Sequence, residues 1–144
     1  MQKYERSRGH NIRVQSATDG SGEGDITFIG VTTSTVAGKV YVLTGGEGAS
    51  WVLADNNANS YYEGLLAVAV GNSSAKGMLL RGAITMFNTV QQVGNPVYLH
   101  STAGNITNTR PSATGTVVRI LGYGINGDSD TMYFNPDNTY ILLS

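Results

Sequence analysis

Short apolar runs separated by clusters of glycine, asparagine, aspartate and serine are the feature that most constrains how this chain folds. A short apolar run bounded by turn-forming residues is typical of a β-strand, and no segment carries a sustained helical period together with capping residues. The sequence therefore predicts an all-β protein of about ten short strands, at residues 26–31, 39–43, 50–54, 65–70, 78–85, 96–100, 105–108, 116–125, 131–134 and 139–143.

The positions of the glycines support this prediction. Most of the 19 glycines fall between the apolar runs, as Gly104 does, where a tight reversal of the chain is expected. Gly82, Gly122 and Gly124 instead fall inside predicted strands. A glycine within a strand indicates a bulge or a close approach of another backbone, so we expect one or the other at these positions.

The end of the chain reads as two strands joined by a tight turn. Residues 131–134 and 139–143 flank the sequence Asn135-Pro136-Asp137-Asn138. Proline presets φ for the first corner of a turn, and asparagine or aspartate tolerates the remaining corner. The pattern predicts an aromatic-rich hairpin, which offers no evident nucleophile, base or metal ligand.

The length of 144 residues suits one domain, which can bury roughly two-thirds of its unfolded surface. We predict an extended basic arm and glycine-rich hinge at residues 1–25 and a single β domain at residues 26–144.

Val-Tyr-Val-Leu at residues 40–43 and Val-Tyr-Leu at residues 97–99 begin two stretches of similar pattern. Two similar β-units, 26–85 and 86–144, would pack as a compact small β-barrel or β-sandwich. The alternative is that such matches arise by chance in any glycine-rich β chain.

Charge is sparse and unevenly distributed. Charged residues make up 13% of the chain, against about 25% in typical soluble domains. Residues 1–14 hold Lys3, Arg6, Arg8 and Arg13 against Glu5, a net of +3, whereas residues 15–144 hold five basic and nine acidic residues, a net of −4. We expect the arm either to be solvated or to dock on an acidic surface of a neighbour. A pI near 6.0 argues against a nucleic-acid partner.

Residues suited to catalysis or metal binding are few. His10 and His100 have no spaced partner, and the chain has no nucleophile elbow, phosphate-loop signature or cysteine. Asp128 and Asp130 alternate in a loop, as oxygen ligands of Ca²⁺ do, but an ordinary polar hairpin explains them as well. We predict no enzyme activity, no cofactor and no metal.

Aromatic side chains are the remaining candidates for a binding role. Trp51 is expected in the core. Tyr61, Tyr62 and Phe87 are candidates for an interface or for stacking on carbohydrate. Adjacent residues of an extended chain point to opposite faces, so one of Tyr61 and Tyr62 should be exposed.

Several segments resemble a known module. They are Gly-Asn-Pro-Val-Tyr-Leu-His-Ser-Thr-Ala-Gly-Asn-Ile-Thr at residues 94–107, Pro-Ser at 111–112, Val-Val-Arg-Ile-Leu-Gly-Tyr at 117–123 and Tyr-Phe-Asn-Pro-Asp-Asn-Thr at 133–139. This part of the chain resembles a module of virion structural proteins of tailed bacteriophages, found in capsid decoration (cement) proteins and in some tail-fibre proteins. A looser match begins at residue 37, and residues 1–36 carry none.

The resemblance implies a function. A decoration protein binds the outer surface of the assembled capsid and stabilises it by bridging subunits of the major capsid protein. It is expected as a homotrimer on the capsid exterior after synthesis in the host cytoplasm. The alternative is a tail-fibre or receptor-binding tip that recognises host surface glycans. No apolar run approaches the roughly 20 residues of a membrane span, so no membrane partner is expected.

Overall fold

The computed structural model describes residues 20–59, 61–86, 92–127 and 130–144. This part of the chain is nearly all β, which confirms the predicted fold class. It contains one single-turn 3₁₀ helix, Ser74–Lys76, and the strands β1 Gly22–Thr27, β2 Val40–Thr44, β3 Ser50–Leu53, β4 Leu66–Ala69, β5 Met78–Thr85, β6 Pro96–Leu99, β7 Ile106–Thr107, β8 Val117–Val118, β9 Ile120–Asn126, β10 Thr131–Phe134 and β11 Ile141–Leu142. None of its helices is long and apolar enough to cross a membrane.

Most strands lie where the apolar runs predict them, and β5 and β10 coincide with the predicted residues. The first strand differs. It spans Gly22–Thr27, so the last part of the predicted hinge is a strand paired with β5, and residues 28–31 lie outside it. In this pairing Gly24 lies opposite Gly82, both at φ near +147°, and a Cβ atom on Gly82 would lie 2.1 Å from the carbonyl oxygen of Glu23.

One antiparallel sheet dominates the structure, with strand order β3-β2-β4-β5-β10-β9-β6-β7. Outward from the central β5–β10 pair, three strands follow on each side in the same pattern. The strand that comes last in the sequence lies next to the pair, and the first and second strands follow it: β4, β2, β3 on one side and β9, β6, β7 on the other. Two similar β-units would produce this arrangement. Strand β1 follows one edge of β5 along its length, while β4 and β10 share the opposite edge at its two ends.

The sheet curls into a half-barrel whose two ends meet. The amide of Val40 donates to the carbonyl oxygen of Gly104 at 3.0 Å, and the amide of Gly104 donates to the carbonyl oxygen of Ala54 at 2.7 Å. Next to them, the amide of Asn56 donates to the carbonyl oxygen of His100 at 3.1 Å. The loop between β6 and β7 thus joins the first half of the sheet to the second.

Both faces of the first half of the sheet are buried. The larger core fills the inside of the curl with fully buried side chains such as Leu66, Leu99, Leu121 and Phe134. A smaller core forms on the outer face of β2, β3 and β4 and contains Trp51, only 3% exposed, as predicted. The segment between β1 and β2 covers this outer face.

The predicted C-terminal hairpin is wrong. Strand β11 pairs with β8 in a separate two-stranded sheet, and β10 pairs with β5 and β9. After β10 the chain continues beside β9, since the amides of Asn135 and Asp137 donate to the carbonyl oxygens of Leu121 and Ile120. Turn chemistry is present, because the Asp137 carboxylate accepts from the Thr139 amide at 3.0 Å, but it does not reverse the chain.

Candidate functional site

The segment that covers the smaller core is the apolar loop, residues 28–36. It presents Phe28, Ile29, Val31 and Val36 to solvent, at 64%, 46%, 72% and 54% exposure. The sequence has no charged residue from 26 to 38. Contiguous exposed apolar side chains on a soluble domain mark an interaction surface, whereas single ones are ordinary.

The backbone of the apolar loop is held against Trp51 and its neighbours. The indole Nε1 of Trp51 donates to the carbonyl oxygen of Ile29 at 2.9 Å, and the Trp51 amide donates to Thr32 Oγ1 at 2.7 Å. The amide of Val31 donates to the carbonyl oxygen of Ala49 at 3.1 Å. Gly30 lies at φ +97°, and a Cβ atom there would come within 2.7 Å of Nε1, so the close approach of loop and indole requires glycine.

The 3₁₀ helix holds the middle of the loop. Ser74, 1% exposed, donates from its hydroxyl to the carbonyl oxygen of Gly30 at 3.0 Å and from its amide to the carbonyl oxygen of Thr32 at 2.8 Å. Nearby, the hydroxyl of Thr35 donates to the carbonyl oxygen of Gly71 at 2.7 Å. These bonds satisfy polar groups of the loop on the side that faces the protein.

The end of the loop is bonded to the phenol of Tyr41. The amide of Val36 donates to the hydroxyl oxygen of Tyr41 at 2.8 Å. Burial raises the pKa of Tyr41, and the hydrogen bond from Val36 offsets part of that rise. Hydrogen bonds therefore hold the loop along its length while its apolar side chains point into water. A preorganised surface of this kind loses little conformational entropy when a partner covers it.

A second feature joins the C-terminal segment to the loop after β3. Arg119, 4% exposed, donates from its guanidinium to the carbonyl oxygens of Tyr62, Gly64 and Asp137. Desolvation lowers the pKa of Arg119, and the charge of Asp137 opposes that shift. The Tyr140 hydroxyl donates to Glu63 Oε2 at 2.8 Å, and its ring meets that of Tyr62 edge to face at 5.0 Å.

The structure separates the predicted aromatic candidates. Tyr61 is half exposed, whereas Tyr62 packs against the larger core, so the prediction that one of the pair is exposed is confirmed. Tyr62 is therefore part of the folded body. The arm residues Lys3, Arg6, Arg8 and Arg13, together with Phe87 and Asp128, lie outside the described residues.

The sequence does not predict the apolar loop, because its pattern predicts a strand at residues 26–31. A signal was available. Residues 26–38 mix Thr and Ser with Phe, Ile and Val in no regular order and include no charged residue. A half-buried strand instead alternates apolar and polar residues with a period of two. The described residues contain no group of three or more His, Asp or Glu side chains that could hold a metal ion.

Comparisons with protein-family models, with curated protein sequences and with solved structures find no match for this chain.

Proposed function

We propose that this chain is a structural protein of a tailed-bacteriophage virion that decorates the outside of the assembled capsid. The observation that carries the proposal is the apolar loop, whose side chains lie exposed on a backbone held by hydrogen bonds. The resemblance of residues 37–144 to virion modules supplies the class of particle. The partner in this proposal is the major capsid protein, and the chain is a homotrimer.

Burial of the apolar loop supplies the binding energy in this mechanism. Complete burial of a Val, Ile or Phe side chain contributes about 1.5–3 kcal/mol. Phe28 and Val31 are the most exposed of the four, so they contribute most when a capsid subunit covers them. A ligand that binds only the assembled shell stabilises it in proportion to occupancy. Three loops on one trimer would add avidity by engaging adjacent subunits.

The N-terminal arm supplies a second contact in the proposal. Lys3, Arg6, Arg8 and Arg13 would pair with carboxylates on the capsid, and salt would weaken that contribution. Deletion of residues 1–14 is then expected to lower the affinity for capsids and to remove its salt dependence. An unchanged affinity would remove the arm from the mechanism.

Purified protein added to undecorated capsids tests the proposal. The melting temperature of the capsids is expected to rise, and Val31→Ser is expected to reduce the rise. Val93→Ser is the matched control, since Val93 is 68% exposed against 72% for Val31 but lies outside the apolar loop. A capsid melting temperature that does not respond to the wild-type protein would refute the decoration function. Equal effects of the two variants would exclude the apolar loop as the docking surface.

A tail-fibre or receptor-binding tip is the second candidate. The half-exposed ring of Tyr61 favours it, because an exposed aromatic face can stack on a sugar. Binding of the purified protein to host cells, without binding to capsids, would select this function over decoration.

A further inference from the structure

A cavity lies beside the buried guanidinium of Arg119. It has a volume of about 350 Å³ and opens to solvent. Its walls come from the chain around Gly64, from the paired strands β1 and β5, and from the segment that follows β10. Arg119 itself borders the cavity, although it is only 4% exposed. The cavity is therefore built around one buried cation.

Four of the five N–H groups of the Arg119 guanidinium have acceptors. Nε donates to the carbonyl oxygen of Asp137 at 2.8 Å, and Nη1 donates to those of Tyr62 at 2.9 Å and Gly64 at 3.2 Å. Nη2 also donates to Gly64, at 3.2 Å, which leaves it one N–H without an acceptor among the described residues.

The direction of this fifth N–H follows from the planar guanidinium. The edge formed by Nη1 and Nη2 faces the carbonyl oxygen of Gly64, so the remaining N–H of Nη2 lies on the edge that it shares with Nε. It therefore points between Gly64 and Asp137. The cavity occupies this gap, since its lining includes Gly64 on one side and Pro136 and Asn138, which flank Asp137, on the other.

The charge of Arg119 has no carboxylate in contact. All of its hydrogen-bond acceptors in the part of the chain that the structure describes are backbone carbonyl oxygens. The lining also contains Arg81 and Asp25, which pair with each other at 3.1 Å, so the net charge of the lining is +1. A buried charge without a counter-ion is unfavourable, and an anion in the cavity would supply one.

We propose that this cavity receives the carboxylate of a glutamate side chain from a partner protein. In the proposal, one carboxylate oxygen accepts from the fifth N–H of Arg119, and the other lies toward Arg81. Bonds of this kind, between a charged donor and a charged acceptor, are the strong ones in proteins. The exposed residues Asn135 and Asn138 line the same cavity and offer side-chain amide donors.

The size and walls of the cavity favour a side chain over a free anion. A volume of 350 Å³ is at the lower end of the range of about 300–1,000 Å³ for small-molecule sites and exceeds what a carboxylate alone fills. Leu65 and Leu80 add apolar surface to the lining. The two methylene groups of a glutamate side chain can pack there while its carboxylate reaches Arg119.

Amide NMR spectra of the full chain test the site with three probes. They are N-acetyl-L-glutamate α-amide, its neutral counterpart N-acetyl-L-glutamine α-amide, and acetate. The glutamate probe is expected to give saturable shifts of the Nε–H resonance of Arg119 and of the backbone amides of Gly64 and Asn138. Acetate is expected to bind more weakly, because it lacks the stem, and the glutamine probe is expected to give no saturable shift.

Two variants of the lining should change the affinity for the glutamate probe in opposite directions. Arg81→Met is expected to weaken binding about threefold, because it removes one positive charge at a partly exposed site. Asp25→Asn is expected to tighten binding by a similar factor, because it removes a negative charge. The matched control is Arg110→Met, another exposed arginine, which lies outside this lining. Arg119 stays in place in these experiments, since it also holds the fold.

Four results would overturn the proposal. They are the absence of saturable shifts with the glutamate probe, equal binding of the glutamine probe, equal binding of acetate, and an effect of Arg81→Met no larger than that of Arg110→Met. Equal binding of acetate would assign the cavity to free anions. The proposal goes beyond capsid decoration and does not rest on it. No readout uses capsids, so failure here is distinguishable from failure of the decoration function.

Discussion

Arg119 binds Asp137 through the backbone of Asp137, with 2.8 Å between Nε and the carbonyl oxygen. The carboxylate of Asp137 is used differently, since it accepts from the amide and the hydroxyl of Thr139. The Thr139 contacts hold the pKa of Asp137 below its usual value. Arg119 lies between β8 and β9, and its contacts with Tyr62 and Gly64 tie the chain's end to the loop before β4.

Replacing Arg119 should be strongly destabilising. Arg119→Met keeps much of the buried aliphatic volume but leaves the carbonyl oxygens of Tyr62, Gly64 and Asp137 without this donor. We expect the free energy of unfolding to fall by about 3 kcal/mol in urea denaturation. The control is Arg81→Met. Arg81 pairs with Asp25 at 3.1 Å but its side chain is 55% exposed, so we expect a loss of about 1 kcal/mol or less. Equal losses would contradict the structural role of Arg119.

The glycine pair in the β1–β5 contact should tolerate no side chain. Gly82→Ala places a Cβ atom 2.1 Å from the carbonyl oxygen of Glu23 at φ +146°, so the two strands must separate or the backbone must change. We expect a loss of about 3 kcal/mol, measured by thermal unfolding. Gly46→Ala is the control, since a Cβ atom there meets no atom within 4 Å. A Gly82→Ala protein as stable as the control would disprove the close approach of β1 to β5.

Much of the sheet was predictable because each strand is a local apolar run. The β5 and β10 strands were predictable because each is a short apolar run flanked by turn residues. Gly82 and Gly122 were predicted to mark bulges or close backbone approaches, and both lie at φ near +147° against a facing strand. Trp51 was predicted in the core, and it is 3% exposed.

The remaining features depend on partners distant in sequence. Nothing local shows that β11 pairs with β8, because Pro136 and Asp137 suit a hairpin as well as a segment that continues beside β9. The amide of Val31 pairs with the carbonyl oxygen of Ala49, 18 residues away, and the cavity beside Arg119 arises only when segments distant in the sequence meet. Such contacts carry no periodic signal in the sequence.

Tyr140 makes stability depend on pH at the alkaline end. The hydrogen bond to Glu63 is the main cause that raises the pKa of Tyr140 from 10.0 to about 12. The neutral phenol is favoured in the folded state, so this contribution is fully present below pH 10 and is lost as the pH rises from about 10 to about 12. We expect Tyr140→Phe to flatten the fall in stability over this interval and to remove one tyrosine from the alkaline end of the tyrosinate absorbance titration. A titration that Tyr140→Phe leaves unchanged at its alkaline end would refute the Glu63 contact.

The hydrogen bond from the Trp51 amide to Thr32 Oγ1 tests whether rigidity of the apolar loop matters for binding. Thr32→Val removes the acceptor, keeps the shape and leaves the exposed side chains in place. A net bond of about 1 kcal/mol predicts about fivefold faster amide hydrogen exchange at Trp51. In the decoration function proposed above, capsid affinity should fall by a similar factor, because a looser loop must be ordered on binding. Thr44→Val, at the exposed end of β2, should change neither quantity. Faster exchange at Trp51 with unchanged capsid affinity would show that the apolar surface binds without needing its preorganised backbone.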